Sequence, residues 1–228
     1  MRIGGIVPFT TIDYPGALAA VLFCQGCPWR CSYCHNPQLQ SCLKPEAYEW
    51  AHIISFLKMR QGFLDAVVLS GGEPTQQSDL VESVREIRTL GFKVGLHTAG
   101  MNSEALKAVL PLIDWVGMDI KAPFDDYERI TRIPQSGEAA KKSAKYILES
   151  GVAYEFRTTV HSELLSKADL KRLSDQLLAM GAKHYTLQPF RSQGCENSNL
   201  SASYLHAWDE ELLDELKKSF QTFLIRES

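Results

Sequence analysis

An α/β fold, a parallel sheet covered by helices, follows from three observations on this 228-residue sequence. Short apolar, β-rich runs alternate with amphipathic helical patterns along its length. Glycines stand where helices should stop, and no linker, repeat or low-complexity stretch divides the chain. The residues able to do chemistry fall just after the predicted strands, the edge at which α/β proteins build their sites.

The first strand is predicted at residues 17–24, where Ala20-Val21-Leu22-Phe23 is continuously apolar, as in a strand buried on both faces. A helix at 47–59 follows. Strand 66–70 precedes a helix at 79–90, and strands at 92–97 and 115–120 come next. A helix at 138–149 stops at Gly151 and leads into the strand 153–160. The helix at 167–180 is the best marked. Ser166 and Asp169 stand in capping-box positions, Leu170, Leu173, Leu177 and Met180 keep one apolar face, and Gly181 ends it. The last strand, 184–190, is followed by a helix at 204–224 with Leu205, Trp208, Leu212, Leu216, Phe220 and Phe223 on one side. Six strand–helix units fit a partial open barrel or a doubly wound sheet, which share this local pattern.

The length suits one domain, residues 1–228, large enough to bury a real core. Hydrophobic residues make up 45% and charged residues 22%, ordinary for a soluble globular protein. The net charge of −3 comes from interspersed acids and bases, which leaves no electrostatic footprint for nucleic acid or an anionic membrane. No apolar run reaches transmembrane length, and Met1-Arg2-Ile3-Gly4-Gly5 begins no secretory signal. A cytoplasmic location is expected.

Of six cysteines, at 24, 27, 31, 34, 42 and 195, three lie in one short loop, Cys27-Pro28-Trp29-Arg30-Cys31-Ser32-Tyr33-Cys34. Thiolates are soft ligands for iron–sulfur clusters, zinc or copper(I). A four-iron cluster held by three sulfurs keeps one iron open to a substrate. A zinc site or a closed electron-transfer cluster would need a fourth ligand, and for zinc His35, Cys24 or Cys42 is available. Cys24 otherwise reads as a small core residue, and Cys42 and Cys195 as loop thiols. A second cluster from those three would lack a ligand, and a disulfide framework does not suit a cytosolic chain of this size.

Further candidates follow the next strands. Gly71 and Gly72 form either a plain turn or a place where backbone approaches a ligand closely. Asp119 and Lys121, two apart on a strand, face one way, so they are a salt-bridged pair or part of a site. Arg157 in Tyr154-Glu155-Phe156-Arg157-Thr158 presents the same choice.

The cysteine spacing and Ser70-Gly71-Gly72-Glu73-Pro74 resemble the radical S-adenosylmethionine (SAM) superfamily. The match narrows at Thr11-Ile12-Asp13-Tyr14-Pro15-Gly16, Gln25-Gly26-Cys27, Tyr33-Cys34-His35-Asn36-Pro37 and Asp119-Ile120-Lys121, which resemble glycyl-radical-activating enzymes. Within that group the chain is most similar to the branch that activates anaerobic ribonucleoside-triphosphate reductase, and the likeness runs to about Phe190.

The resemblance implies a partial open (β/α)6 barrel of the radical SAM type and a [4Fe–4S] cluster on Cys27, Cys31 and Cys34 whose fourth iron chelates SAM. It implies that a one-electron donor such as reduced flavodoxin drives SAM cleavage, and that the resulting 5′-deoxyadenosyl radical takes a Cα hydrogen from a glycine of the partner. It places Tyr33 near the adenine, Gly71, Gly72 and Glu73 near the SAM amino group, and Arg157 near its carboxylate. Thr98 joins the SAM-binding set, Asp119 and Lys121 lie beside SAM or the substrate loop, and Gln188 meets the nucleoside. Asp13 holds the incoming peptide. Two positions depart from relatives acting on pyruvate formate-lyase: His97 stands where they carry an aspartate that helps hold a monovalent cation, and Gln188 where they carry a histidine. Three alternatives stay open: an activase of pyruvate formate-lyase or another glycyl radical enzyme, radical ring contraction in deazapurine synthesis, and a non-catalytic iron–sulfur or zinc module.

Overall fold

The computed structural model describes residues 1–200 and 209–226. Its strands are β1 (Ile3–Thr10), β2 (Ala19–Cys24), β3 (Ala66–Gly71), β4 (Lys93–Thr98), β5 (Trp115–Asp119), β6 (Ala153–Val160), β7 (His184–Pro189) and β8 (Thr222–Ile225). They form one eight-stranded sheet in the order β1 to β8. β1 runs antiparallel to β2, and all later neighbours are parallel. The α-helices are α1 (Trp50–Lys58), α2 (Leu80–Thr89), α3 (Ser103–Val109), α4 (Glu128–Thr131), α5 (Ser136–Ser150), α6 (Lys167–Ala179) and α7 (Glu210–Ser219). Among the described residues, no helix is long and apolar enough to cross a membrane.

The strand order separates the two folds that spacing left open. A doubly wound sheet reverses its order at a switch point, whereas here every crossover moves one strand onward. Crossovers of one hand in one direction put all their helices on the same face. The other face becomes an inside. Among the described residues the sheet stays open, because β1 and β8 each have a single strand neighbour.

Side-chain alternation then sorts the residues. On the helix-covered face Ala20, Leu22, Val67, Leu69, Val94, Leu96, Val116 and Met118 join the main core. On the inside, Ala19, Val21, Ala66, Val68 and Trp115 gather with Tyr14 into a second, smaller core. Further along the same inward rows the residues turn polar: His97 on β4, Asp119 on β5, Arg157 and Thr159 on β6, Gln188 on β7. The amino-terminal end of the inside is plugged with hydrocarbon, and its carboxyl end holds charge.

All six predicted strands form. α6 carries the predicted capping box, with the Ser166 and Asp169 side chains each bonded to the other's backbone. The helix predicted at 204–224 is corrected. Its residues 201–208, with Leu205 and Trp208, lie outside the described ones, and the helix stops at Ser219. Phe220 is extended (φ −97°, ψ 145°), and Thr222–Ile225 adds to β7 as β8. Phe220 and Phe223 share a helical spacing, yet both pack on Tyr185, with ring centroids 5.1 and 6.1 Å away, from two different elements.

Besides β8 and the short α4, β1 and α3 were not predicted. β1 contains Gly4, Gly5 and Pro8, residues that weaken a central strand but suit an edge. α3 is seven residues long, with Asn102 capping it by accepting from the Ala105 amide at 3.1 Å.

Leu69 sits between sheet and helices with no exposed surface. Leu69→Ala should cost about 2–5 kcal/mol, read as a lower urea midpoint at unchanged slope.

Candidate active site

The cysteine loop leaves the end of β2 through Gly26, whose φ of +106° suits glycine. The Gly26 and Cys27 amides donate to the Leu39 and Gln40 carbonyls at 2.8 and 3.1 Å, pinning the loop's base. Its outer turn rests on α4. The Arg30 and Ser32 amides donate to Thr131 and Ile130 carbonyls at 3.0 and 3.4 Å, groups that a helix end leaves unpaired. Buried Trp29 meets Tyr127 edge-on at 5.8 Å. Residues 190–197 hold the loop from outside. His35 Nε2 donates to the Arg191 carbonyl at 2.8 Å, its ring stacks on Phe190 at 5.4 Å, and Asn197 Nδ2 donates to the Ser32 carbonyl at 3.2 Å.

The turn after β3 locks against this loop. The Gly72 and Glu73 amides donate to the Cys24 and Gly26 carbonyls, both at 2.9 Å. A Cβ on Gly71 would lie 2.5 Å from the Cys24 nitrogen, and one on Gly72 would lie 2.4 Å from the Gly26 oxygen. The glycines therefore admit the chain's own backbone, and both also line the cavity described below. Glu73 is 1% exposed. Its Oε1 accepts from the Thr75 amide (3.1 Å), the Thr75 hydroxyl (2.7 Å) and the Thr98 hydroxyl (2.5 Å), and its Oε2 from the Ala99 amide (2.8 Å). Glu73 and Thr98 thus tie the turn to the end of β4.

Facing the loop are the inward polar side chains. Asp119 Oδ1 accepts from Arg157 Nε at 2.5 Å, and Lys121 Nζ lies 3.8 Å from Asp119 Oδ2. Burial alone would raise the Asp119 carboxyl, but Arg157 and Lys121 outweigh it and hold it at about 2. Lys121 lies over the Tyr33 ring, 5.4 Å from its centre. Gln188 Nε2 donates to Thr159 Oγ1 at 2.8 Å.

Twelve sequence-predicted residues line one cavity of about 190 Å³: Cys27, Cys31, Tyr33, Cys34, Gly71, Gly72, Glu73, Thr98, Asp119, Lys121, Arg157 and Gln188. Asp13 does not line it. Its carboxylate instead accepts from Thr10 Oγ1 at 2.6 Å. Sequence reading missed Trp29, Asn36, Gln40 and Thr159 in the lining. Thr159 was accessible by parity, two positions beyond Arg157 on one strand.

The residues fit an iron–sulfur cluster with a nucleoside ligand. All three loop cysteines are free. Burial first, and then Glu73, pushes the Cys27 thiol up to about 12, and burial also raises Cys31. Such thiols give up their protons to a metal. The Tyr33 hydroxyl is buried beside Lys121 and makes no hydrogen bond of regular geometry, which suits it to a polar ligand.

Gly72→Ala should push the cysteine loop outward and lower iron retained per chain after anaerobic reconstitution, measured beside the unchanged wild type. Asp119 ordinarily titrates at 3.8 and is held at about 2, so its ion pair stabilises fully above about pH 4 and is lost as pH falls through about 2. Asp119→Asn should flatten that part of the stability curve and cost about 3 kcal/mol at neutral pH, as urea unfolding against pH will report.

Residues 21–188 match the family model of the radical SAM superfamily. A Methanocaldococcus jannaschii protein provisionally named a glycyl-radical enzyme activating enzyme is 34% identical over 181 residues, 75% of this chain and 73% of that one. The pyruvate formate-lyase-activating enzyme of Clostridium pasteurianum is 27% identical over 236 residues, 98% of each chain. The crystal structure of Streptococcus suis SuiB bound to precursor peptide SuiA shares the fold, with a TM-score of 0.70 at 15% identity over 89% of this chain. This chain spans about half of that one, 47%. The non-catalytic readings of the cysteine loop give way to these matches. The chain belongs to the radical SAM superfamily, whose cofactors are a [4Fe–4S] cluster and SAM, and within it to the glycyl-radical-activating enzymes, which are oxidoreductases.

Proposed function

We propose that this enzyme installs the glycyl radical of anaerobic ribonucleoside-triphosphate reductase, in the cytoplasm, with a one-electron donor such as reduced flavodoxin. The observation that carries the activase reading is the meeting, in one cavity, of three free thiols from a single loop with the Gly71–Glu73 turn and an inward row of charges. His97 bears on the partner. It stands where pyruvate formate-lyase activases are expected to carry a cation-holding aspartate, and its Nε2 is already bonded to the Asp13 carbonyl at 2.9 Å. Six free cysteines suit a reducing compartment.

Cys27, Cys31 and Cys34 would hold the cluster. When bound, the cluster and SAM supply reductive cleavage of the sulfonium and the carbon radical that takes a hydrogen atom from the partner's glycine. The protein's own part is binding, orientation and exclusion of water. Tyr33 would hold the nucleoside, with its buried ring and hydroxyl facing the cavity. Gly71 and Gly72 present backbone to the SAM ammonium, with Glu73 holding that turn rigid through its four hydrogen bonds. Arg157 meets the SAM carboxylate, kept in place by Asp119. Lys121 pairs with Asp119 and would face the substrate peptide, which Asp13 would meet from the other end of the inside. Gln188 has its amide nitrogen committed to Thr159 and its oxygen left for the nucleoside.

A second reading, activation of pyruvate formate-lyase, draws support from the near full-length similarity to the Clostridium pasteurianum activase. One anaerobic experiment separates them. The reconstituted, reduced protein is mixed with SAM and with each purified partner enzyme in turn, then examined by EPR and for 5′-deoxyadenosine. A glycyl-radical doublet with matching deoxyadenosine is expected with the reductase; a doublet only with the lyase would transfer the assignment. Alanine at any one of Cys27, Cys31 or Cys34 should abolish deoxyadenosine formation, and retained cleavage would sink the cluster assignment.

A further inference from the structure

The loop between β1 and β2, Thr11 to Gly16, stands at the amino-terminal end of the sheet's inside, opposite the cysteine loop, with Ile12 82% exposed. An exposed loop of this length has little to hold it, yet this one is held from beneath. Tyr14 is buried and fills the space left by Gly95, where a Cβ would come within 2.9 Å of its ring. Trp115 packs beside Tyr14, with centroids 6.0 Å apart. His97, two residues beyond Gly95 on the same inward row, meets Trp115 edge-on at 5.3 Å and donates from Nε2 to the Asp13 carbonyl at 2.9 Å. The Thr10 hydroxyl secures the Asp13 carboxylate at 2.6 Å, so both the backbone and the side chain of Asp13 are fixed.

His97 also lines the cofactor cavity beside Asp119 and Arg157. Among the described residues, its bond to Asp13 is the one hydrogen bond that joins the cavity lining to this loop. The bond requires a proton on Nε2, which the neutral ring can carry. Burial and then the Arg157 charge keep the ring neutral, well below the ordinary histidine range. A charged ring would bring a second cation against Arg157.

We infer that His97 is a positioning residue that fixes the Thr11–Gly16 loop relative to the cofactor cavity and so sets how closely the polypeptide substrate approaches. The inference rests on the reading that the substrate is a loop of a partner protein. His97 acts through the loop and transfers no proton or electron.

Two full-length variants test it. His97→Phe keeps an aromatic face against Trp115 and removes the donor. His97→Gln keeps an amide nitrogen at about the reach of Nε2. The first readout is hydrogen–deuterium exchange of the backbone amides at 11–18, which needs no partner and no turnover. Loss of one hydrogen bond predicts exchange about fivefold faster in His97→Phe at these amides alone, with near wild-type rates in His97→Gln. The second readout is glycyl-radical formation against reductase concentration. His97→Phe should raise the KM for the partner severalfold with a smaller change in kcat, and His97→Gln should restore it. Unchanged exchange at 11–18 in His97→Phe overturns the inference whatever the activity. Exchange accelerated throughout the chain assigns His97 to general stability and also overturns it. Loosened exchange with unchanged KM removes the link to substrate approach. Failure of the wild type to radicalise any partner defeats the functional reading and the substrate clause together, while the exchange data still decide whether His97 fixes the loop.

Discussion

At Gly71 and Gly72 two stretches of main chain run closer together than any side chain permits, and the rest of the site depends on that contact. It joins the end of β2, where the cysteine loop begins, to the end of β3. Two backbone hydrogen bonds and two missing Cβ atoms define the distance between them. Glu73 carries the constraint onward to the end of β4 by accepting from the Thr98 hydroxyl and the Ala99 amide, while the Thr75 amide and hydroxyl brace its own turn, all with water excluded. Three neighbouring strand ends are thereby fixed to one another, and the loop bearing the cysteines has a rigid floor.

The inside of the sheet carries a second constraint, the cost of burying charge. Asp119, Arg157 and Lys121 occupy a space that in a closed (β/α)8 barrel is filled with branched apolar side chains. They are tolerated because Asp119 pairs with both cations, and because the hydrocarbon plug of Tyr14, Val21, Val68 and Trp115 occupies the opposite end. Strand parity makes this division: on β5 the inward row reads Trp115, Gly117, Asp119, passing from apolar to absent to charged within five residues. A cavity able to accept a zwitterionic ligand arises where the row changes character.

Much of this was legible beforehand. Continuous apolar runs disclosed all six central parallel strands, and the position of charged residues two apart on them disclosed Asp119, Lys121 and Arg157. The topology was not legible, since open barrel and doubly wound sheet differ in strand order and not in local pattern. β1 was obscured by Gly4, Gly5 and Pro8, which signal turns unless the strand is known to be an edge. β8 was obscured because Phe220 and Phe223 sit at helical spacing. At the site, the sequence disclosed which residues matter better than why. Gly72 is small to admit Gly26, Glu73 reaches Thr98 and Ala99, and the Asp13 carbonyl meets His97, and each of these contacts joins segments far apart in the chain.

The outer cover of the cysteine loop comes from residues 190–197, and its hydrogen bond from Asn197 to Ser32 spans 165 positions. Successive strand–helix units are neighbours in space, whereas this cover crosses from the end of β7 to the loop that follows β2. Whatever loosens β7 therefore also loosens the outer face of the cysteine loop, at the opposite end of the sequence.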